Sequence, residues 1–344
     1  MIIPIGIFLF WCFVTAVYNQ LNIKWLISFI PLFLMIIPIS FTYSKFDFNG
    51  FQKYFLCGFL LTIPFAFYDL ATSYFGFIPF GSTSALFDYS AGGVLGNFLR
   101  VRSTFSEPSF YAIYLCLVFY VQSDFDIKYK KILVTTIIIL LLLTLSLTGV
   151  FIMAFLVYYK YFRGTIIRKF KTIITVILVT IISYIIFPST FDQLINRISN
   201  TYFSFNSSNI TGSEESRINT FPVLINYFTS SDGNILIGEG YSNYESWLIN
   251  NYSYAGLLSS FARGQIHNAF AVIGISTGLM GLIIYLSIFL IMGSKNILPW
   301  DAIIFHLLIQ LSYTLMIGYF LWGILLVIIA NKNQKMLENI SHTA

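Results

Sequence analysis

Apolar residues in this chain come in long unbroken blocks, separated by short stretches that hold most of the charge and most of the turn residues. Neither strict alternation nor a narrow amphipathic stripe is sustained, so the pattern predicts helices buried in a uniformly apolar medium. A membrane-crossing helix needs about 20 apolar residues, because a rise of about 1.5 Å per residue must cross about 30 Å of hydrocarbon. The blocks predict spans near 2–17, 25–43, 54–75, 106–122, 132–146, 149–162, 172–188, 268–292, 301–316 and 318–330. Two pairs come from continuous blocks, 132–162 and 301–330, each too long for one helix. The first is expected to turn near Ser146 to Gly149 and the second near Gly318. The expected fold is all-α: a polytopic membrane protein of about ten spans. It divides into an N-terminal bundle (1–188), a large external loop (189–266) and a C-terminal bundle with its tail (267–344). Short helices are expected in the loop at 214–229 and 243–261, and a second external segment, 76–104, is rich in Gly and Phe.

Composition sharpens the picture. Hydrophobic residues make up 57% of the chain and charged ones 10%, against about 25% charged in soluble domains. Block 1–17 lacks a charged start and a small-residue cleavage pattern, so it is expected to stay as an anchor. The net charge of +5 is not gathered into a basic patch interleaved with stacking aromatics, so nucleic acid is excluded as a partner. Cys12, Cys57 and Cys116 each lie inside an apolar block and read as small buried hydrophobes rather than disulfide or metal ligands.

Charge also orients the spans. Lysine-rich segments at 128–131, 160–171 and 332–335 face the cytoplasm under the positive-inside rule, which puts both termini there. Of the 19 Lys and Arg residues, six fall outside: Lys24, Arg100, Arg102, Arg197, Arg217 and Arg263. Five of those six are arginines. A guanidinium grips phosphate or carboxylate oxygens in two places, whereas an ammonium acts as a point charge. The outer face therefore carries the chemistry of an anion site.

Three constellations could use it. In Arg102-Ser-Thr-Phe-Ser-Glu107-Pro108, the proline suits a helix first turn and the glutamate its positive end. This is either a well-built helix start or an arginine and an acid at the mouth of a membrane cavity. Arg217 follows Glu214 and Glu215 in the loop, where a surface ion pair is the plain alternative to anion binding. Gly238-Glu-Gly240 precedes Gly264-Gln-Ile-His267-Asn268, and Gly274, Gly278 and Gly281 follow. His267 sits where polar loop becomes apolar helix and titrates near neutral pH. The spaced glycines suit close helix packing. His306, near Asp301 and Gln310, falls toward the cytoplasmic side and reads as a packing residue.

In order and spacing these pieces resemble the O-antigen polymerase and O-antigen ligase superfamily. That pattern runs from an Arg, a Phe and an acid-Pro step (Arg102, Phe105, Glu107, Pro108) to a loop Arg (Arg217) and a Gly-x-Gly (Gly238, Gly240). His-Asn then opens a glycine-spaced helix (His267, Asn268, Gly278, Gly281). Two positions depart from it: Ser146-Leu-Thr-Gly149 lacks the family's turn arginine, and Ser109 stands where Asn is common after the proline.

The resemblance implies polymerisation of O-antigen or capsular repeat units on the periplasmic face of the inner membrane. An undecaprenyl-diphosphate-linked glycan is the donor and a lipid-linked repeat unit the acceptor. It implies Arg102 and Arg217 on the diphosphate, His267 or Glu107 as base, and Asn268, Gly238, Gly240, Arg263 and Arg100 in support. No metal or other cofactor is expected, and a chain-length regulator is a conceivable partner. Transfer to a lipid A core, as in a ligase, remains open. So does a flippase or transporter that binds lipid diphosphate without chemistry.

Overall fold

The structure, a computed structural model, describes residues 2–19, 48–75, 94–95, 98–99, 101, 103–105, 108–122, 129–161, 220–230, 234–240, 243–252, 266, 268–295 and 298–311. Among the described residues the regular elements are helices apart from one minimal hairpin: α1 (Ile2–Tyr18), α2 (Phe48–Phe75), β1 (Val94–Leu95), β2 (Phe98–Leu99), α3 (Pro108–Gln122), α4 (Lys130–Leu143), α5 (Leu147–Tyr161), α6 (Thr220–Thr229), α7 (Tyr244–Tyr252), α8 (Ala269–Ser294) and α9 (Trp300–Gln310). Antiparallel β1 and β2 pair Val94 with Leu99 and Leu95 with Phe98. Segments 50–72 and 269–294 are long and apolar enough to cross a membrane. The expected spans at 25–43, 172–188 and 318–330 lie outside the described residues.

The chain forms two compact units, one built from residues 1–48 and 208–344 and the other from 49–207. In the first, α1 packs along α8, and the loop helices α6 and α7 pack against α8 as well. Val223, Leu224, Tyr227, Trp247 and Leu248 of α6 and α7 form one core with Ile266, Ala271, Val272 and Ile275. The Tyr227 and Trp247 rings meet edge-on with centroids 4.9 Å apart, an arrangement worth about 0.5–1.5 kcal/mol beyond area burial.

Helix α8 was expected as one continuous span over 268–292, and it is not. Gly278 has φ 68° and ψ −173°, which breaks the helix into arms 269–277 and 279–294. The break is a fold-back: the Phe270 and Tyr285 ring centroids lie 6.2 Å apart, whereas fifteen residues of straight helix would separate them by about 22 Å. Burial follows the same division. Every residue of the first arm except Phe270 is buried, because it serves the α6–α7 core. The second arm buries Gly281, Tyr285, Ile288, Phe289 and Met292 on one stripe and exposes Leu279, Met280, Ile283, Leu286 and Leu290. Gly278 is thus a turning point rather than a packing glycine, and its conformation is one that only glycine adopts readily. Gly281 does mark a close approach, since a Cβ there would lie 3.0 Å from Trp11 Cδ1.

In the second unit α3 is buried along nearly its whole length and packs on α4 and α5. Those two helices form the expected hairpin, which turns at Thr144–Ser146, slightly before the predicted position, with Leu145 at φ 51°. A Cβ on Gly149 would lie 2.5 Å from Ala112 Cβ, so the glycine sets how near α5 comes to α3. Helix α2 carries Pro64, which removes one helical hydrogen bond. It buries a single face through Gln52, Phe59, Thr62, Ala66 and Asp69 and exposes Tyr54, Leu60, Leu61 and Phe67. Cys57 is also exposed, unlike Cys12 and Cys116; it sits on the face of α2 opposite the buried stripe, so the expectation of burial fails there.

Candidate functional site

The first unit's site is built on the break in α8. A broken helix leaves carbonyls at the end of one arm and N–H groups at the start of the next without helical partners, and in apolar surroundings each must be satisfied. Segment 234–240 supplies the partners. Glu239 N–H donates to the Ile275 carbonyl at 2.8 Å and Gly240 N–H to the Ser276 carbonyl at 2.9 Å. In the other direction, Leu279 N–H donates to the Ile235 carbonyl at 2.8 Å and Met280 N–H to the Leu236 carbonyl at 3.4 Å. Trp11 Nε1 takes the Thr277 carbonyl at 3.0 Å. Both loop glycines have φ 83°; a Cβ on Gly238 would fall 2.6 Å from the Ser276 carbonyl oxygen. The Gly-x-Gly therefore lets a loop backbone lie against a helix backbone.

Polar side chains secure this loop. Asn19 Nδ2 donates to the Gly238 carbonyl at 3.0 Å, and Asn243 Nδ2 donates to the Asn19 carbonyl at 3.2 Å. The Glu239 carboxylate turns inward, its Oε1 accepting from the Tyr227 hydroxyl and from Asn234 N–H, both at 3.2 Å. Burial, followed by the neighbouring Glu239 charge, pushes the Tyr227 phenol well above its ordinary value of about 10. A raised folded-state pKa means the stabilisation is complete below about pH 10 and is lost as pH rises beyond it. The stability advantage of the wild type over Tyr227→Phe should therefore be flat to about pH 9 and shrink above about pH 10 in denaturation series.

Asn268 opens the first arm of α8. Its Oδ1 accepts from the N–H groups of Phe270 and Ala271 at 2.9 and 3.2 Å. Its Nδ2 donates to the Leu311 carbonyl at 3.0 Å, so one buried amide caps the start of α8 and the end of α9. Asn268→Ala should lose about 2 kcal/mol, the cap plus an orphaned carbonyl. Asn268→Asp should keep the cap and lose only the donated bond, a difference that thermal unfolding of the two variants measures.

The second unit's site lies where segment 101–105 meets α2. Val101 N–H donates to the Leu143 carbonyl at 3.1 Å. Ser103, at φ 55°, donates its N–H to Asp69 Oδ2 at 2.7 Å and its hydroxyl to the Thr62 carbonyl at 2.6 Å. Thr62 Oγ1 lies 3.2 Å from the Tyr111 hydroxyl, and the Phe105 ring stands 5.5 Å from that of Tyr111 and 5.2 Å from that of Tyr114. Pro108 begins α3, as its fixed φ favours.

Of the site residues expected from the sequence, Gly238, Gly240 and Asn268 are brought together by the broken helix. His267, Glu107, Arg102, Arg217, Arg263 and Arg100 lie outside the described residues. Sequence reading missed Asp69, Trp11 and Asn19. Asp69 had a signal, being an acid within an apolar block; the other two had none, because the carbonyls they reach in this site, Thr277 and Gly238, lie more than 200 residues away. His306 is buried, with its ring 5.1 Å from that of Phe289. Among the described residues no cluster of three or more His, Cys, Asp and Glu could hold a metal. No family model, curated protein or solved structure matches the chain.

Proposed function

We propose that the protein is a multi-pass inner-membrane glycosyltransferase that polymerises O-antigen or capsular repeat units on the periplasmic face. One observation carries the reading: Gly238, Gly240 and the helix opened by Asn268 act as one mechanical device. In the resemblance they are separate signatures 28 residues apart. Here the Gly-x-Gly loop closes the break in the helix that Asn268 opens, so a reason exists for both to occur in one chain. Exposed apolar surface on α2 and on the second arm of α8 fits a lipid-facing role. In this reading about ten spans place both termini in the cytoplasm, and helices α6 and α7 belong to the periplasmic loop.

Chemically, a hydroxyl oxygen of the incoming lipid-linked repeat unit attacks the anomeric carbon of the growing glycan. The bond from that carbon to the diphosphate oxygen breaks, and undecaprenyl diphosphate leaves with the electron pair. Arg102 and Arg217 stabilise the charge developing on it, as preorganised cations in a water-poor site do. His267 takes the hydroxyl proton, with Glu107 as the second candidate. Arg100 and Arg263 add positive potential, and the reaction needs no metal.

The transporter alternative draws on the broken helix, since transporters aim free helix ends at their cargo. In α8, however, the ends at 275–280 are taken by segment 235–240 and Trp11, which favours a structural break. The test is chain extension by the purified protein in lipid nanodiscs, with a synthetic undecaprenyl diphosphate repeat unit as sole substrate and EDTA present. A ladder of longer lipid-linked glycans supports the polymerase. Transfer only when a lipid A core is added means the ligase, and the absence of any covalent product under both conditions rejects the glycosyltransferase.

A further inference from the structure

The fold-back of α8 sets the depth of its neighbours. Beyond Gly278 the second arm, 279–294, is about 24 Å long, against about 13 Å for the first. The first arm does not extend that length but returns beside it, with the Phe270 ring against that of Tyr285. Helix α9 agrees with this level. It starts at the far end of the second arm, where a Cβ on Gly293 would meet the Trp300 ring, and passes Phe289 at His306. The carbonyl of Leu311, just beyond it, accepts from Asn268 at the start of the first arm. The chain therefore enters α8 part-way along the second arm.

Helix α6 is packed on the first arm. A Cβ on Gly274 would meet Leu224 Cδ1 at 2.6 Å, and Val223, Leu224 and Tyr227 share a core with Ala271, Val272 and Ile275. Gly274 and Ala271 lie about 6 and 10 Å of helix from the bend, so α6 stands beside the first half of the second arm, near Ile283. Its outer side suits that place. Helix α6 contains no charged residue, and Phe221 and Ile225, one turn apart, are 49% and 62% exposed. Pro222, Asn226 and Thr229 complete the exposed side. The Thr229 hydroxyl donates to its own helix, to the Ile225 carbonyl at 3.0 Å, as exposed Ser287 of the second arm donates to the Ile283 carbonyl at 2.7 Å. A medium without hydrogen-bonding groups requires such returns. Helix α7 differs, exposing Glu245, Ser246 and Asn250.

We propose that α6 is a membrane-embedded helix, held in the outer half of the bilayer by the re-entrant first arm of α8, with Phe221 and Ile225 against lipid acyl chains. The inference rests on the reading of the chain as a multi-pass membrane protein and deepens it: part of the segment counted as external loop returns into the bilayer. Continuity with the second arm decides the occupant, since Ile283 and Leu286 are exposed at the neighbouring level of a helix apolar enough to cross a membrane. Re-entrant backbone is tolerated at membrane depth where protein buries it, and the first arm is buried but for Phe270.

The test puts a fluorescent label on single cysteines in the full-length protein: Phe221→Cys and Ile225→Cys on α6, Ile283→Cys on the second arm and Glu245→Cys on α7. A Cys57→Ser background leaves only buried native thiols. The proteins are reconstituted in phosphatidylethanolamine–phosphatidylglycerol vesicles that carry a nitroxide on either the acyl chain or the headgroup. Chain nitroxide should quench both α6 labels to within about twofold of the label on the second arm, because side chains at one depth meet the same part of the hydrocarbon. The α6 cysteines should also resist a membrane-impermeant maleimide that modifies Glu245→Cys. Should the α6 variants fail to fold, the wild type crosslinked by a diazirine-bearing acyl chain, with adducts mapped to 220–229, reads the same contact.

A quenched second arm with unquenched α6, or α6 quenched only from the headgroup, would overturn the proposal and leave the membrane reading standing. Labels on α6 shielded from both chain nitroxide and maleimide would mean that protein, a second copy included, covers the helix, which overturns it as well. An unquenched second arm would remove both.

Discussion

Gly278→Ala should cost the first unit at least about 3 kcal/mol and release segment 234–240 from α8. Two effects add. The backbone at Gly278 has φ 68° and ψ −173°, a region essentially closed to residues with a Cβ, where strain is of order 1–3 kcal/mol. A methyl there would also be driven into the Leu236 carbonyl and against Gly238 N at 2.7 Å. The loop must retreat, weakening four backbone hydrogen bonds, each worth about 0.5–1.5 kcal/mol net. Thermal unfolding in detergent reads the stability, and limited proteolysis between residues 230 and 245 reads the released loop. Wild-type behaviour in both would mean that α8 is not folded back. Gly274→Ala is a useful contrast: its Cβ would meet Leu224 Cδ1 at 2.6 Å, the end of a flexible side chain, and should disturb the α6 contact without freeing the loop.

His267→Ala and Arg217→Ala should each slow chain extension by about 10²-fold or more, with thermal stability unchanged. A positioned base contributes about 10²–10⁴-fold to rate, so His267→Ala should lower kcat by that range with thermal unfolding unchanged, because the Asn268 cap beside it is untouched. The wild-type rate should rise with pH through the region near 6.5 where an ordinary imidazole loses its proton, and that limb should vanish in the variant. Arg217→Lys should recover little, since an ammonium lacks the bidentate fork. Full extension by His267→Ala would pass the role of base to Glu107.

The helices were legible because apolar blocks announce them. The observed α3, α4 and α5 begin and end within a few residues of the predicted spans at 106–122, 132–146 and 149–162, and Pro108 marked the start of α3 as its missing N–H requires. The fold-back of α8 was not legible. A run such as Ala269–Ser294 has the same hydropathy bent or straight, and Gly278 among neighbouring glycines looks like a packing residue. What distinguishes it is a set of backbone partners from residues 235–240, and backbone groups are identical in every residue, so no side-chain pattern records them. Asn268 shows the middle case: an asparagine before an apolar run signals a helix cap, and that cap is present, but its second bond to Leu311 depends on which helix ends are neighbours. Asp69 lay in plain view as an acid in an apolar block, whereas the bond it accepts from Ser103 N–H, 34 residues on, did not.

The bend in α8 is not a property of that helix alone. As a free segment, 269–294 satisfies its own backbone best as one straight rod, since nothing else in lipid can serve the groups at 275–280. Only docking of 234–240 gives those groups other partners. On the proposed reading of 269–294 as a membrane segment, its bend is therefore conditional on residues 234–240, and removing that segment should leave an apolar helix with every reason to straighten.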